Sequence, residues 1–161
     1  MSAAIRATTL VAVDPATAFA VFTREIDAWW RRGPRFRWLT AGEGRLRFEP
    51  GVGGRLVEQH GDDEFEVGRV RVWEPAKRLV FEFRARSFEP GQVTEVDVAF
   101  AAEGEETRVT VEHRGWEELA ADHPARHGLD AGALRSLMGV WWADLLVSAR
   151  RYAEHTTSRG G

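Results

Sequence analysis

The longest amphipathic segment of the chain lies near its C-terminus, from Gly132 to Glu154. Drawn at about 100° per residue, its apolar side chains fall within an arc of roughly 120°, with charged side chains opposite. This pattern predicts one long helix with a single apolar face. The helix would span roughly 34 Å, about the width of a sheet of six or seven strands. The apolar arc contains Leu134, Leu137, Met138, Trp141, Leu145, Ser148, Ala149 and Tyr152.

Most of the preceding chain alternates apolar and polar residues, which is typical of strands buried on one face. The first such segment begins at Ile5 and continues to Val13. Because each segment is apolar on one face only, we predict an antiparallel sheet that the terminal helix covers on one side. The apolar phase shifts after Val67, and Gly68 is the predicted bulge. The six later segments end near Glu49, Gln59, Trp73, Ala85, Phe100 and His113.

A helix is predicted directly after the first strand. Asp14 can accept hydrogen bonds from the free backbone N–H groups of a first turn, and Pro15 suits the first helical position. The helical region ends near Trp29 and Trp30, because Pro34 disfavours helix in the residue before it. Its apolar face carries Ala18, Phe19, Phe22 and Ile26.

Composition narrows the protein class. The 161 residues fit one domain, which we expect to cover 1–155, with 156–161 as a disordered tail. Cysteine is absent, which excludes disulfides and thiolate chemistry. The net charge of −3 gives no bulk attraction to nucleic acid or to an anionic membrane. With no signal peptide and no long apolar run, we expect a soluble cytoplasmic protein without membrane insertion. We predict no cofactor. Seven Trp and nine Phe must line a core or a cavity.

The whole pattern resembles a known family. The residues that carry the resemblance are Asp14-Pro15-Ala16, Phe19, Phe22, Trp29-Trp30, Gly53-Gly54, Gly68-Arg69-Val70, Trp73-Glu74-Pro75, Arg78-Leu79, Thr107, Val109, His113 and the Trp-bearing final helix. The chain is similar to the START-like superfamily, also called SRPBCC, and within it to the branch named after the heat-shock protein 90 ATPase activator homologues. The resemblance implies an α+β helix-grip fold. In this fold a curved antiparallel sheet of six to seven strands wraps around a long C-terminal helix, and two short helices follow strand 1.

The resemblance also implies an apolar pocket between the helix and the sheet, so a small hydrophobic molecule is the expected partner. The alternative is that the same side chains fill a solid core. Two polar residues share the inner face. His113 would orient a ligand, act as an acid or base, or simply hydrogen-bond locally. Arg69 would pair with Glu58 unless the bulge turns it outward. The remaining candidate lining residues are Phe48, Phe81, Phe83, Phe100, Met138, Trp141 and Leu145.

The stretch from Trp29 to Trp38 interleaves four arginines with aromatic residues. Such a pattern suits single-stranded nucleic acid, an anionic group at a pocket mouth, or a solvated loop held by buried tryptophans. The acidic balance of the chain argues against nucleic acid. His123 and His127 have the spacing of a helical metal pair, but Pro124 separates them and no third ligand is evident beyond Asp122, so no metal site is predicted.

Three functions remain open at this stage. The leading one is binding of a small apolar molecule. The alternatives are a regulator of a chaperone ATPase that acts through protein contacts, and a cyclase- or hydrolase-like enzyme that uses His113. Trp142 lies at the rim of the predicted apolar arc, where it caps the pocket or contacts a second subunit in a homodimer.

Overall fold

The computed structural model describes residues 4–33, 35–39, 44–116, 119, 123 and 128–159. Its elements follow the predicted order of strand, short helices, meander and long helix. They are β1 (Ile5–Val11), α1 (Pro15–Thr23), α2 (Ile26–Trp29), β2 (Arg45–Phe48), β3 (Arg55–His60), β4 (Asp63–Glu74), β5 (Arg78–Phe83), β6 (Thr94–Glu103), β7 (Glu106–Arg114) and α3 (Ala131–Arg159).

The strands form a curved antiparallel sheet in the order β1-β7-β6-β5-β4-β3-β2. Strands β2 to β7 each pair with the next strand in sequence, and β1 pairs with β7 as an edge strand of the sheet. The register runs from Ile5 opposite His113 to Val11 opposite Thr107. The predicted antiparallel sheet and the helix-grip fold are therefore confirmed.

The predicted bulge in β4 is present. Leu56 pairs with Gly68 and Val57 pairs with Glu66, so Val67 is an extra residue on β4. A Cβ atom at Gly68 would collide with the backbone carbonyl oxygen of Glu82 on β5. Glycine therefore lets two backbones approach where the sheet bends.

Helix α1 begins as the sequence predicts and covers one end of the sheet. The Asp14 carboxylate accepts a hydrogen bond from the Thr17 N–H at 2.8 Å, and Pro15 occupies the first turn. The hydrogen bonds from Thr17 lower the pKa of Asp14. Phe19 and Phe22 are buried, and their ring centroids lie 5.2 and 6.0 Å from that of Phe100 on β6.

Helix α3 runs to Arg159, five residues beyond its predicted end. Its buried face also differs from the predicted arc. Trp142 is fully buried, Trp141 is half-buried, and Leu137 is 40% exposed. The predicted position of Trp142 at the rim is therefore wrong. Because apolar residues are adjacent at 141–142 and at 145–146, the sequence allows two neighbouring faces of the helix to be the buried one. Packing selects the face that carries Leu134, Met138, Trp142 and Leu146, which are four residues apart. The buried residues are Leu134, Met138, Trp142, Leu145, Leu146, Ala149 and Ala153.

Polar contacts fix the C-terminal half of α3. Ser148 donates to the carbonyl oxygen of Trp29 at 2.6 Å, and the Tyr152 hydroxyl donates to Glu25 at 2.7 Å. Glu154 accepts a hydrogen bond from the backbone N–H of Ala12 at 2.9 Å. Among the described residues, no helix combines the length and the apolar character that crossing a membrane requires.

Candidate functional site

The candidate lining residues on the sheet fall into two groups. Phe48, Phe81 and Phe100 lie toward α1, where Phe48 contacts Phe81 with ring centroids 5.3 Å apart. Phe19 of α1 bridges Phe100 and Trp73, at 5.2 and 5.3 Å. These direct ring contacts fill the α1 end of the core with aromatic side chains.

The second group lies where β5 ends and β6 begins. We call Phe83, Phe88, His113, Trp116 and Trp142 the His113 cluster. The ring of His113 lies 4.8 Å from Phe83, 4.9 Å from Trp116 and 5.9 Å from Trp142. Phe88 packs edge-on against Trp116 at 6.0 Å. The cluster therefore joins β5, the segment after β5, β7 with the segment that follows it, and α3.

His113 points toward α3, as its strand phase predicts, and it is fully buried. The Trp142 indole Nε1 donates to His113 Nδ1 at 3.1 Å. Because an indole N–H can only donate, Nδ1 carries the lone pair and Nε2 carries the proton. His113 Nε2 therefore donates to Thr94 Oγ1 at 2.7 Å, and Thr94 Oγ1 donates to the Phe83 carbonyl oxygen at 2.9 Å.

This hydrogen-bond chain determines what His113 can do chemically. Burial lowers its pKa from 6.5 to about 3, so the ring is neutral at physiological pH. Protonation of His113 at Nδ1 would also place two N–H donors, that of Nδ1 and that of the Trp142 indole, opposite each other, which is unfavourable. Both ring nitrogens are engaged, which leaves no free lone pair for a general base. Of the interpretations raised by the sequence, local hydrogen bonding fits this geometry.

Arg69 does not belong to the inner face. Its side chain is 60% exposed and lies 3.9 Å from Glu66 on the outer face. The predicted pairing with Glu58 is wrong, because the bulge before Arg69 turns its side chain outward. Met138 and Leu145 lie on the buried face of α3, as predicted.

Trp141 lies at the edge of the core instead of at its centre. Its indole N–H donates to the carbonyl oxygen of Arg35 at 2.8 Å, and its ring stacks on Phe36 at 5.7 Å. Trp30 donates to the carbonyl oxygen of Phe36 at 2.8 Å. Tryptophans thus hold the arginine-rich loop, as one of the sequence interpretations proposed.

The buried Arg37 and its partly buried partner Asp27 fix the same loop. The side chain of Arg37 has no exposed surface, and its Nη1 lies 2.7 Å from Asp27 and 3.0 Å from the carbonyl oxygen of Gly44. Partial burial raises the pKa of Asp27, but hydrogen bonds from Arg37 and from the Leu46 N–H outweigh it and lower the pKa overall. Arg37 is therefore part of the framework and is closed to an external anion.

Glu58 is the inward-facing residue whose role the sequence did not show. It is fully buried, and its carboxylate accepts hydrogen bonds from the backbone N–H groups of Trp38 at 2.6 Å and Leu39 at 3.3 Å. Glu58 lies two residues after the buried Leu56 on β3, so the strand period places both side chains on the inner face. Nothing in the local pattern indicates that its partners come from a loop twenty residues earlier.

The histidine pair considered for metal is not assembled in the described part of the chain. His123 Nε2 lies 3.1 Å from Gln92 Oε1, and His127 lies outside the described residues. No cluster of three or more metal-ligating His, Asp or Glu side chains occurs among the residues that the structure describes.

The indole of Trp116 stands apart from the other buried indoles. The buried Trp29, Trp30, Trp38 and Trp142, and also the half-buried Trp141, donate to protein acceptors at 2.8 to 3.1 Å. Trp116 is only 4% exposed, yet its Nε1 has no hydrogen-bond partner among the residues described. Buried donors of this kind are rare in folded proteins.

A small crevice also lies between β1, β7, α1 and α3. Its interior volume is about 10 Å³, close to the space that one water molecule needs. Its walls are apolar and include Val11, Phe22, Leu146 and Ala149. The crevice has no room for a ligand larger than water.

Comparison with known families identifies the fold family. A family model described as activator of Hsp90 ATPase homolog 1-like protein matches residues 12–138. The chain belongs to this family. The match covers β2 to β7 and the first turns of α3, and it contains four of the five residues of the His113 cluster. Trp142, which fixes the tautomer of His113, lies beyond the matched range.

Solved structures with the same fold span almost the whole chain. An HSP90 activator from Plasmodium falciparum is 16% identical, with a TM-score of 0.61 over 89% of this chain and 90% of that one. CalC, a self-sacrificing resistance protein from Micromonospora echinospora, is 24% identical, with a TM-score of 0.61 over 95% of each chain. The Aha1 dimer from Colwellia psychrerythraea is 15% identical, with a TM-score of 0.58 over 91% of this chain and 92% of that one. At these identities the likeness shows the fold alone. A search of curated protein sequences finds no significant match.

Proposed function

We propose that this protein binds a small, uncharged, largely apolar molecule between its sheet and the N-terminal half of α3. The observation that carries the proposal is the composition of the His113 cluster. Its five rings come from four separate segments of the chain, and its titratable member, His113, is neutral at physiological pH. An uncharged aromatic surface favours an apolar ligand, because a bound charge would lose its hydration without gaining a partner.

Native mass spectrometry of the purified full chain, followed by titration with naphthalene-based ketones, fatty acids and sterols, tests the proposal. We expect at least one compound to bind saturably with one molecule per chain. Phe88→Ala removes one ring of the cluster and should weaken binding severalfold, because the ligand loses an apolar contact. Val52→Ala is the matched control, since Val52 is 71% exposed in the turn between β2 and β3. A ligand-free mass together with no saturable binding would refute the proposal in favour of a filled core.

Regulation of an Hsp90-type ATPase is the alternative that the family name suggests. The outer face of the sheet, which such a contact would use, pairs its charges internally. Arg71 lies 3.0 Å from both Glu82 and Glu95, and Arg114 lies 3.0 Å from Asp97. Charges paired in this way form an ordinary solvated face. A change in the ATPase rate of an Hsp90-type chaperone on adding the purified chain would favour this alternative.

An enzymatic function that uses His113 is the second alternative. The Trp142 and Thr94 hydrogen bonds engage both nitrogens of His113, which argues against an acid or base role. Turnover of a bound ketone or ester by the wild type but not by His113→Gln would restore the enzymatic interpretation.

We also propose that the chain forms a homodimer through α3. Leu137 is 40% exposed and Val140 is 60% exposed, and the two lie one turn apart on the outer side of the helix. The dimeric structural neighbour from Colwellia psychrerythraea supports a homodimer, and the exposed Leu137 and Val140 are the reason for placing its interface on α3. Light scattering after size-exclusion chromatography should give twice the chain mass, and Val140→Asp should give one chain mass. A monomeric wild type would refute the homodimer.

A cytoplasmic location stays a prediction, which cell fractionation tests.

A further inference from the structure

We propose that the Trp116 indole N–H is the hydrogen-bond donor that anchors the ligand, and that the ligand is an uncharged apolar molecule carrying an acceptor oxygen such as a ketone. This inference rests on the proposed function and narrows its ligand class. Trp116 follows β7, after Gly115 turns the chain with a φ of +99°. The turn places the indole against His113 and Phe88 at the end of the sheet.

The first step in the inference is that protein groups satisfy the other buried polar atoms of the cluster. The hydrogen bonds that run from Trp142 through His113 and Thr94 to the Phe83 carbonyl use each of these donors and acceptors once. Trp116 Nε1 is the remaining donor, and no acceptor among the described residues lies within hydrogen-bond distance. A buried N–H without a partner is normally matched by water or by a ligand.

The second step concerns the chemistry of the missing partner. An indole N–H only donates, so the partner must offer a lone pair. The rings in contact with Trp116 are those of His113 and Phe88, and neither carries a charge at neutral pH. A carboxylate would meet no cation in this cluster and would lose its hydration. A carbonyl or ether oxygen attached to a flat apolar body fits both the donor and the rings.

Among the residues that the structure describes, Arg84 Nε is the other buried side-chain N–H without a partner. Arg84 is only partly buried and does not belong to the ring cluster. Trp116, at 4% exposure, is the donor that the core encloses.

A matched pair of probes tests the inference on the full chain. 2-Acetylnaphthalene carries a carbonyl oxygen, and in 2-isopropenylnaphthalene a CH₂ group replaces that oxygen. We expect the wild type to bind the ketone about 3- to 10-fold more tightly than the hydrocarbon, the range for one net hydrogen bond. Trp116→Phe keeps an aromatic ring and removes the N–H donor. In this variant the ratio of ketone affinity to hydrocarbon affinity should fall to about one, while the hydrocarbon affinity stays unchanged.

Nuclear magnetic resonance gives a second readout. The indole N–H resonance that is missing from the Trp116→Phe spectrum should move downfield in the wild type with the ketone and not with the hydrocarbon. Trp38→Phe is the control, because Trp38 donates to the Arg84 carbonyl at 2.9 Å. That variant should lose thermal stability and keep the ketone preference, whereas Trp116→Phe should keep its thermal stability.

The outcomes separate the two proposals. Equal affinity of the wild type for both probes, or an undiminished preference in Trp116→Phe, overturns the role of Trp116 and leaves apolar binding standing. If neither probe binds saturably while a fatty acid or sterol does, this inference is overturned and apolar binding stands. If no compound of the panel binds, the proposed function and this inference are overturned together.

Discussion

Mild acid should destabilise this protein through the protonation of one residue, His113. The ring is fully buried, and its pKa is lowered from 6.5 to about 3 by burial. In the unfolded chain His113 binds a proton below about pH 6.5, whereas in the folded chain it stays neutral down to about pH 3. Between these values the unfolded state binds more protons, so the free energy of unfolding falls as the pH falls.

The magnitude follows from the same two pKa values. Each pH unit in this window lowers the free energy of unfolding by about 1.4 kcal/mol. Between pH 7.5 and pH 5, His113 alone should therefore remove about 2 kcal/mol of stability, a large share of the typical total of about 5–15 kcal/mol. The lowered pKa values of Asp27 and Asp97 place their own acid effects below about pH 4.

Urea denaturation of the wild type and His113→Gln at constant ionic strength measures the effect. The glutamine cannot titrate, so the difference in unfolding free energy between the two proteins should shrink by about 2 kcal/mol from pH 7.5 to pH 5. Shared contributions from other groups cancel in this difference. Parallel pH curves for the two proteins would refute the neutral, doubly engaged state of His113.

Four further predictions concern the stability of the fold. Gly68→Ala should lower the free energy of unfolding by about 2–3 kcal/mol in urea denaturation, because its Cβ meets the Glu82 carbonyl; an unchanged midpoint would contradict this close packing. Gly139→Ala should raise stability by about 1 kcal/mol, since its Cβ meets no atom within 4 Å in α3. Arg37→Ala should cost about 3–5 kcal/mol, because it removes the buried partner of Asp27, leaves this carboxylate only the exposed Arg32, and leaves the Gly44 carbonyl without its donor. Arg71→Ala on the outer face should cost under about 1 kcal/mol, with a salt dependence that Arg37→Ala lacks.

The strands were the most predictable part of the fold, because their apolar alternation is local. Gly68 was recognisable as a bulge, since a glycine coincided with a phase shift in that alternation. The face of α3 was harder to assign. Two adjacent tryptophans fit the helical period equally well, and contacts with β7 and with the loop at Arg35 decided between them.

The site was only partly predictable for a related reason. The inward direction of His113 follows from the strand period, but its tautomer depends on Trp142, which lies 29 residues later. Glu58 binds a backbone N–H group 20 residues earlier, and Arg37 binds a carbonyl oxygen seven residues later in the same loop region. Side-chain to backbone contacts of this kind leave no periodic signal. That the Trp116 indole N–H meets no acceptor among the described residues is a property of its three-dimensional surroundings, and no pattern in the sequence could show it.

The hydrogen-bond chain at His113 indicates how the proposed apolar site would be selective. The chain runs from Trp142 on α3 through β7 and β6 to the Phe83 carbonyl on β5, so it holds the helix at a fixed place over three adjacent strands. Each of its polar groups is already matched, and none can discriminate between ligands. In the proposed site, selectivity would then depend on the Trp116 indole N–H, the donor of the cluster that has no partner among the described residues. For an apolar molecule in this cluster, the position of a single oxygen relative to the Trp116 N–H should decide both affinity and orientation.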